Sequence, residues 1–271
     1  MKIALSGAGG NIGRILRKEL PARGFTLRAL SGRRPPDPTD PTDTAVPGED
    51  LVAGDLREPA VVDRLLQGTE MLVHMAGTSV ERPLPEIIEN NLVALHQVYE
   101  GALRHGLRRV LFASSNHAFG MHGVDALLDQ QSSYRPDGFY GLSKMWGEGL
   151  ARMYWDKHGL ESVCLRIGSS EPAPVNRRHL STWLGPADLV DLVEAALRAP
   201  EVGFAPVWGI SHNDRAYYDL REPNALGWQP RQNAEAWAPA VQDRPAHPSP
   251  IAQAHQGGAF VVDGYTRKRS A

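Results

Sequence analysis

Three short stretches of this 271-residue sequence hold side chains whose types and spacing suit chemistry. Tyr140-Gly-Leu-Ser-Lys144 sets a phenol and an ammonium four residues apart, one turn of helix, so both can face the same cavity. A tyrosine titrates near pH ~10, and an adjacent cation favours the phenolate, so the pair reads as a base that works near neutrality. Met alone, such a pair is more often a surface tyrosine packed on a lysine stem. Here it follows an apolar stretch ending in Ala113-Ser114-Ser115-Asn116, in a chain that begins with a glycine-rich turn.

That turn is the second stretch, Gly7-Ala-Gly-Gly10-Asn11-Ile12-Gly13. Glycines there allow a tight turn, a close approach of backbone to a pyrophosphate and close packing of helix on strand, while the helix N-terminus offers free N–H groups to phosphate. An ordinary glycine-rich strand-to-helix turn has the same look, but the position after the first strand of an alternating chain favours a dinucleotide site. The spacing is Gly-x-x-Gly-x-x-Gly rather than Gly-x-Gly-x-x-Gly. The third stretch, Ser31-Gly32-Arg33-Arg34, places two adjacent cations after another apolar run.

These groups need a scaffold, and the rest of the sequence describes one. Lys2–Leu5, Phe25–Leu30, Asp50–Ala53, Met71–Met75, Arg109–Ser114 and Val163–Ile167 read as strands alternating with helical periods, and Phe204–Ile210 as a further strand. Ile12, Ile15, Leu16 and Leu20 mark one helix; Val61, Val62, Leu65 and Leu66 mark another. A long helix from about Pro85 is expected to bury Ile87, Ile88, Leu92, Leu95, Val98, Tyr99 and Leu103; Phe139–Lys157 and Pro186–Ala199 should be helical, and Pro239–Pro250 irregular. The Pro/Asp/Thr-rich piece Arg34–Asp50 reads as a loop, mobile at its tip. The pattern predicts an α/β fold, a Rossmann-like doubly wound parallel sheet over residues 1–170, with a small substrate-binding lobe, 171–271, packed on it as one structural unit.

Composition narrows the function. With 29 Lys+Arg against 31 Asp+Glu, the formal charge of −2 gives no field that would draw the chain to nucleic acid or an acidic membrane. The lone cysteine, Cys164, excludes an internal disulfide and multi-cysteine metal motifs, so no metal site is expected. The first residues lack the apolar length expected of a signal peptide and no window nears the roughly 18 apolar residues of a membrane span, so a cytoplasmic location is expected.

Taken together, these motifs resemble the extended short-chain dehydrogenase/reductase superfamily over most of the chain: Gly7-x-x-Gly10-x-x-Gly13, Asp55-Leu56, Met75-Ala76-Gly77, Asn91, Ser115 and Tyr140-x-x-x-Lys144. Further segments are similar to its uronate dehydrogenase branch: Gly77-Thr-Ser-Val-Glu-Arg-Pro83, Phe112-Ala-Ser-Ser-Asn-His117, Arg135-Pro-Asp-Gly-Phe-Tyr-Gly-Leu-Ser-Lys144, Leu165-Arg-Ile-Gly-Ser169, Arg178-His-Leu-Ser-Thr-Trp183, Val207-Trp-Gly209 and Gln256-Gly-Gly258. The resemblance implies oxidation of the anomeric carbon of D-glucuronate or D-galacturonate to an aldarolactone, with hydride transfer to NAD or NADP. It implies cofactor contacts from the glycine turn, Asp55, Leu56, Met75, Ala76, Gly77, Asn91 and Lys144. Ser115 would position the reacting oxygen and Tyr140 would move the proton. Ser79, Ser115, Asn116, His117, Tyr140 and Ser169 would meet the sugar, and Arg178 its carboxylate, for which a bidentate guanidinium is suited. His117 alternatively only orients its neighbours.

The sequence departs from the NAD pattern at Ser31, where an Asp or Glu normally binds the adenosine ribose hydroxyls. Ser31 followed by Arg33 and Arg34 is what a 2′-phosphate requires, so NADP is expected to be accepted, unless the arginines merely begin a solvated loop. Two rivals stand beside the uronate reading. A nucleotide-sugar epimerase or dehydratase needs a larger C-terminal lobe than the roughly 100 residues left after the sixth strand; a non-catalytic NAD(P) sensor would not need Ser115, Tyr140 and Lys144 together. A homo-oligomer paired through the helices Pro85–His105 and Phe139–Lys157 is left open.

Overall fold

Short apolar runs bounded by glycines become the strands of a single sheet in the computed structural model, which describes residues 1–32, 49–221 and 224–267. Among the described residues the strands are β1 (Lys2–Ser6), β2 (Thr26–Leu30), β3 (Asp50–Val52), β4 (Met71–His74), β5 (Arg109–Ser115), β6 (Glu161–Ile167) and β7 (Phe204–Gly209). All pair in parallel, in the order β3-β2-β1-β4-β5-β6-β7. The order reverses between β1 and β4, and a ligand crevice opens at such a reversal, beyond the carboxyl ends of the strands. The structure thus has the expected doubly wound architecture. The stretch Arg34–Asp50, read as a loop, lies outside the described residues up to position 48, as do Arg33 and Arg34 themselves.

Helices cover both faces because the strands are apolar on both sides. The helices α1 (Asn11–Ala22), α2 (Pro59–Leu66), α3 (Leu84–Ile87), α4 (Ala94–Arg104), α5 (Phe139–His158), α6 (His179–Thr182), α7 (Pro186–Arg198), α8 (Ala238–Val241) and α9 (Pro250–Ala254) follow in chain order. Leu16 and Leu20 of α1 pack with Leu189, Leu192 and Val193 of α7 against Ile3, Leu5 and Val163 on one face. On the other, Val62 and Leu65 of α2, Leu95 and Val98 of α4, and Ala151 and Tyr154 of α5 pack against Leu72, Val110 and Phe112. Burial of side chains of this kind stabilises by roughly 1.5–3 kcal/mol each. The stretch 171–271, expected as a small lobe packed on the Rossmann domain in one structural unit, contributes α7 and β7 to the sheet layers. Its remaining segments build smaller clusters: Leu180 and Trp183 with Ala234 and Val241, and Trp208, Ile210 and Tyr218 with Phe119.

The helix expected from Pro85 departs from its predicted register. Residues Ile88–Val93 form a π-helical turn between α3 and α4. The wider turn brings the polar Asn91 to the buried side, while Ile88 and Leu103, expected inside, stay 37% and 38% exposed. Such single-turn insertions concentrate at functional sites, and Asn91 explains this one. Its Oδ1 accepts from Thr78 N at 2.7 Å, and its Nδ2 donates to Thr78 O at 3.0 Å and to Ser143 Oγ at 2.9 Å. One side chain thereby ties the loop after β4 to α5.

Candidate active site

The carboxyl ends of β1, β4, β5 and β6 open onto a cleft of about 730 Å³. Gly7, Gly10, Asn11, Ile12 and Gly13 form one wall of it, and Met75, Ala76, Gly77 and Ser79 another. The glycines are required by close approach. Gly7 has φ +72, and a Cβ there would stand 2.6 Å from Ala76 N; a Cβ on Gly13 would stand 2.1 Å from Gly7 O. The N-cap of α1 is Gly10, with no side-chain cap and no acidic residue in the first turn. Its first N–H groups and the positive end of the helix dipole are therefore available to an anion, and this cradle fits the pyrophosphate of a dinucleotide.

A smaller cavity of about 270 Å³ shares Gly7, Ala76 and Gly77 with the cleft and is also lined by Leu30, Gly32, Asp55 and Leu56. Asp55 is held by Arg57, whose Nη2 donates to Asp55 Oδ2 at 2.7 Å and whose Nη1 donates to Glu89 Oε2 at 2.8 Å. Ser31 sits between two wall residues, and its buried hydroxyl has no hydrogen-bond partner. Asn91 is not a wall residue of either cavity; it acts on them through Thr78.

At the other end of the cleft, Ser115, His117, Tyr140, Lys144, Ser169 and Arg178 come together. Tyr140 and Lys144 lie on the buried side of α5. Glu81, from the loop after β4, caps this helix from outside: its carboxylate accepts from Phe139 N at 2.9 Å and Tyr140 N at 3.0 Å. Lys144 Nζ donates to Ala113 O at 2.8 Å and stands 5.5 Å from the Tyr140 ring centroid. The electrostatics correct the expectation of a phenolate favoured by the lysine. Burial pushes the Tyr140 phenol up to about 12; its hydrogen bond with Ser115 pulls it partly back, and the Asp137 charge adds to the rise. Burial also pushes the Lys144 ammonium down to about 8. Removal from water disfavours the charged form of each group and sets the direction of both shifts.

His117 is fixed from three sides. Its Nδ1–H donates to Asp137 Oδ2 at 2.6 Å, its ring stacks on Phe260 at 3.9 Å between centroids, and its edge meets Tyr140 at 5.7 Å. The Asp137 side chain is fully buried, and its Oδ1 has no partner. Space for it exists only because glycines surround it: a Cβ would approach Asp137 Oδ2 to 1.9 Å from Gly120 and 2.1 Å from Gly257. Arg178 donates from Nε to Gln256 O at 2.6 Å and from Nη1 to Ser169 Oγ at 3.2 Å, while its Nη2 is buried with no partner. An unmatched guanidinium nitrogen is expensive unless an anion meets it. Asn116 lies behind the cleft wall, donating to the Tyr218 hydroxyl at 3.0 Å.

Asp137, Phe260 and Glu81 were not expected from the sequence. Asp137 and Glu81 do lie inside the segments that carried the resemblance, and Phe260 lies two residues beyond one of them. His179 also lines the cleft, its imidazole pushed down to about 4 by burial and then by Arg178.

The model of the NAD dependent epimerase/dehydratase family matches residues 3–203. The uronate dehydrogenase of Pseudomonas syringae pv. tomato is 41% identical over 97% of this chain and 94% of its own length. A crystal structure of the Agrobacterium tumefaciens uronate dehydrogenase, a point mutant complexed with NAD, superposes with a TM-score of 0.87 at 40% identity, covering 96% of each chain. A glucuronic acid dehydrogenase structure from Chromohalobacter salexigens gives 0.88 at 33% identity, again over 96% of each chain. With sequence likeness running end to end and the same fold throughout, this chain belongs to the NAD dependent epimerase/dehydratase family and, within it, to the uronate dehydrogenases.

Proposed function

We propose that the chain oxidises the C1 hydroxyl of a hexuronate, D-glucuronate or D-galacturonate, to the lactone with a nicotinamide dinucleotide as oxidant. The observation that carries this reading is the placement of Arg178, with a buried unpaired Nη2, in the same cleft as Ser115, Tyr140 and Lys144. Bound along the glycine cradle, the dinucleotide would supply the two-electron acceptor and a positive ring charge. Arg178 takes the substrate carboxylate and so fixes which end of the pyranose faces Tyr140. Ser115 Oγ hydrogen-bonds the C1 oxygen, and Tyr140 accepts its proton as the phenolate, a form that burial alone disfavours and that the positive ring of the bound dinucleotide would favour, with Lys144 one helical turn away. Because Asp137 accepts from Nδ1, a neutral His117 keeps Nε2 as an acceptor, suited to a sugar hydroxyl and not to the carboxylate. The pyranose ring stays closed throughout, so the product is a lactone.

Dinucleotide reduction followed by absorbance tests this reading, with glucuronate, galacturonate and a UDP-sugar each supplied with NAD and with NADP. Turnover of the uronates that falls at least about 100-fold in Tyr140→Phe is expected. Turnover of the UDP-sugar alone, or near-normal activity in Tyr140→Phe, would overturn it.

The same cleft is proposed to accept NADP as well as NAD. Ser31 puts no negative charge at the end of β2, its buried hydroxyl is unpaired, and Arg33 and Arg34 follow in sequence, outside the described residues. Replacing Ser31 by Asp together with Arg33→Ala and Arg34→Ala should move preference from NADP toward NAD. Unchanged preference refutes this assignment.

A further inference from the structure

A second cavity, of about 410 Å³, shares a single wall residue with the catalytic cleft, and that residue is Arg178. Its other polar walls include Arg177, Ser181, Tyr217, His247, Gln253 and His255, and among the described residues no aspartate or glutamate lines it. A third arginine at the rim, Arg215, is already neutralised: its Nε and Nη2 donate to the Glu235 carboxylate at 2.9 and 2.6 Å. Among the described residues, the Arg177 and Arg178 side chains have no such partner. Arg177 donates only to the neutral Gln253 Oε1 at 3.1 Å, and the bonds of Arg178 go to a backbone carbonyl and a serine hydroxyl. Two guanidinium groups, adjacent in sequence, thus face one cavity without a counter-charge, an arrangement that repels itself until an anion enters.

The uncharged groups add a pattern. His247 Nδ1 accepts from Ser249 N at 3.1 Å, so in the neutral ring Nε2 carries the proton. His255 Nδ1–H donates to Ile251 O at 2.9 Å, which leaves its Nε2 as an acceptor. With the Ser181 and Tyr217 hydroxyls, the walls hold both donors and acceptors around the two cations. Such a lining suits a small polyhydroxylated anion of two charges better than a bare ion or an apolar molecule.

The reaction proposed above, on which this step rests, leads to such a molecule. Its product is a lactone bearing one carboxylate. When water adds to the lactone carbonyl, the ring C–O bond breaks, the ring oxygen leaves as a hydroxyl, and the new acid loses a proton to give a second carboxylate. We propose that this cavity binds an open-chain polyhydroxy dicarboxylate. Its occupancy weakens uronate binding, because one anion draws on the Arg178 charge that the other needs.

Calorimetry and steady-state kinetics on the full chain, with meso-galactarate as probe and gluconate and inorganic phosphate as comparison anions, test this. Galactarate should bind more tightly than either and raise the uronate KM toward a plateau, with kcat unchanged. Arg177→Gln and His247→Gln should each weaken galactarate binding about tenfold or more while leaving kcat and KM without galactarate within about twofold. Absence of binding at about 10 mM, equal binding of phosphate, or inhibition that is linearly competitive and unchanged in Arg177→Gln would each overturn the proposal. A chain inactive on uronates that still bound galactarate in an Arg177-dependent way would retain the dicarboxylate pocket and refute the uronate reading instead.

Discussion

Removing the Arg178 guanidinium separates substrate recognition from chemistry. The stem of Arg178 packs against Gly258, where a Cβ would lie 2.7 Å from Cδ, so Arg178→Ala opens space and forces nothing apart. At a separation of about 4 Å and an effective dielectric near 20, a guanidinium and a carboxylate attract by about 4 kcal/mol. Truncating one partner of a hydrogen-bonded charge pair costs ~2–5 kcal/mol. A value near ~3 kcal/mol corresponds to a rise of roughly 100-fold or more in KM for glucuronate. The carboxylate is remote from C1 and is held alike in ground and transition states, so kcat should stay within about threefold. Arg178→Lys keeps a charge but loses the fork that holds Gln256 O and Ser169 Oγ, and should raise KM by roughly tenfold. Neutral galactose, lacking the carboxylate, should be oxidised equally poorly by parent and variants. An unchanged glucuronate KM in a folded Arg178→Ala protein, its melting temperature within a few degrees of the parent, would refute the carboxylate role.

Two further outcomes follow from the buried titratable groups. Asp137→Asn preserves shape inside the cage of glycines but removes the charge that holds the His117 Nδ1–H; a charge-assisted hydrogen bond of this kind is worth about 1.5–3 kcal/mol, so kcat/KM for glucuronate should fall roughly 10- to 100-fold. A change under twofold would reduce Asp137 to packing. Stability should also fall on mild acidification. Burial pushes His74 down to about 3 and, with Arg178, His179 down to about 4. An unfolded chain takes up both protons from about pH 6.5 downward while the folded chain does not, so stability is complete above that pH and is lost as pH falls toward about 4. At pH 5 the two groups together remove on the order of 4 kcal/mol. Urea unfolding at pH 7 and pH 5 checks this, and a loss under about 1 kcal/mol would mean that the buried imidazoles take up their protons in the folded state.

What was legible in the sequence was what short-range spacing encodes. The strands are apolar runs, the glycine turn is contiguous, and Tyr140 and Lys144 share one turn of α5, so each could be placed within a residue or two of its observed position. The π-helical turn was not legible, because it depends on a demand from elsewhere: the Thr78 backbone needs partners, and Asn91 reaches them only if the helix widens. Nor was the direction of the Tyr140 shift. Four-residue spacing says that a cation is near, but the direction of the shift is set by loss of solvent, and how deeply the Tyr140 face of α5 is buried is not revealed by adjacency in sequence.

The substrate end of the cleft was the least legible part because it is assembled by the last segment of the fold. Gln256 O accepts from Arg178 Nε, Gly257 leaves room for the Asp137 carboxylate, Gly258 abuts the Arg178 stem, and Phe260 stacks on His117. Four of the five residues from Gln256 to Phe260 thus contact or make room for the group assigned to the carboxylate, the histidine assigned to a hydroxyl and the aspartate that fixes its tautomer, yet none of the four is expected to exchange a proton. Their sequence, a glutamine, two glycines and a phenylalanine, carries no chemical signature of its own. The dinucleotide half needs nothing from them: its cradle is built from the ends of β1 and β4 and the start of α1. On the proposed reading, cofactor binding is encoded mainly in short contiguous segments, whereas the sugar end depends on contacts such as His117 with Phe260 and Asp137 with Gly257, more than a hundred residues apart in sequence. The Gln256-Gly-Gly258 segment is the point at which a change in primary structure would alter the second while leaving the first intact.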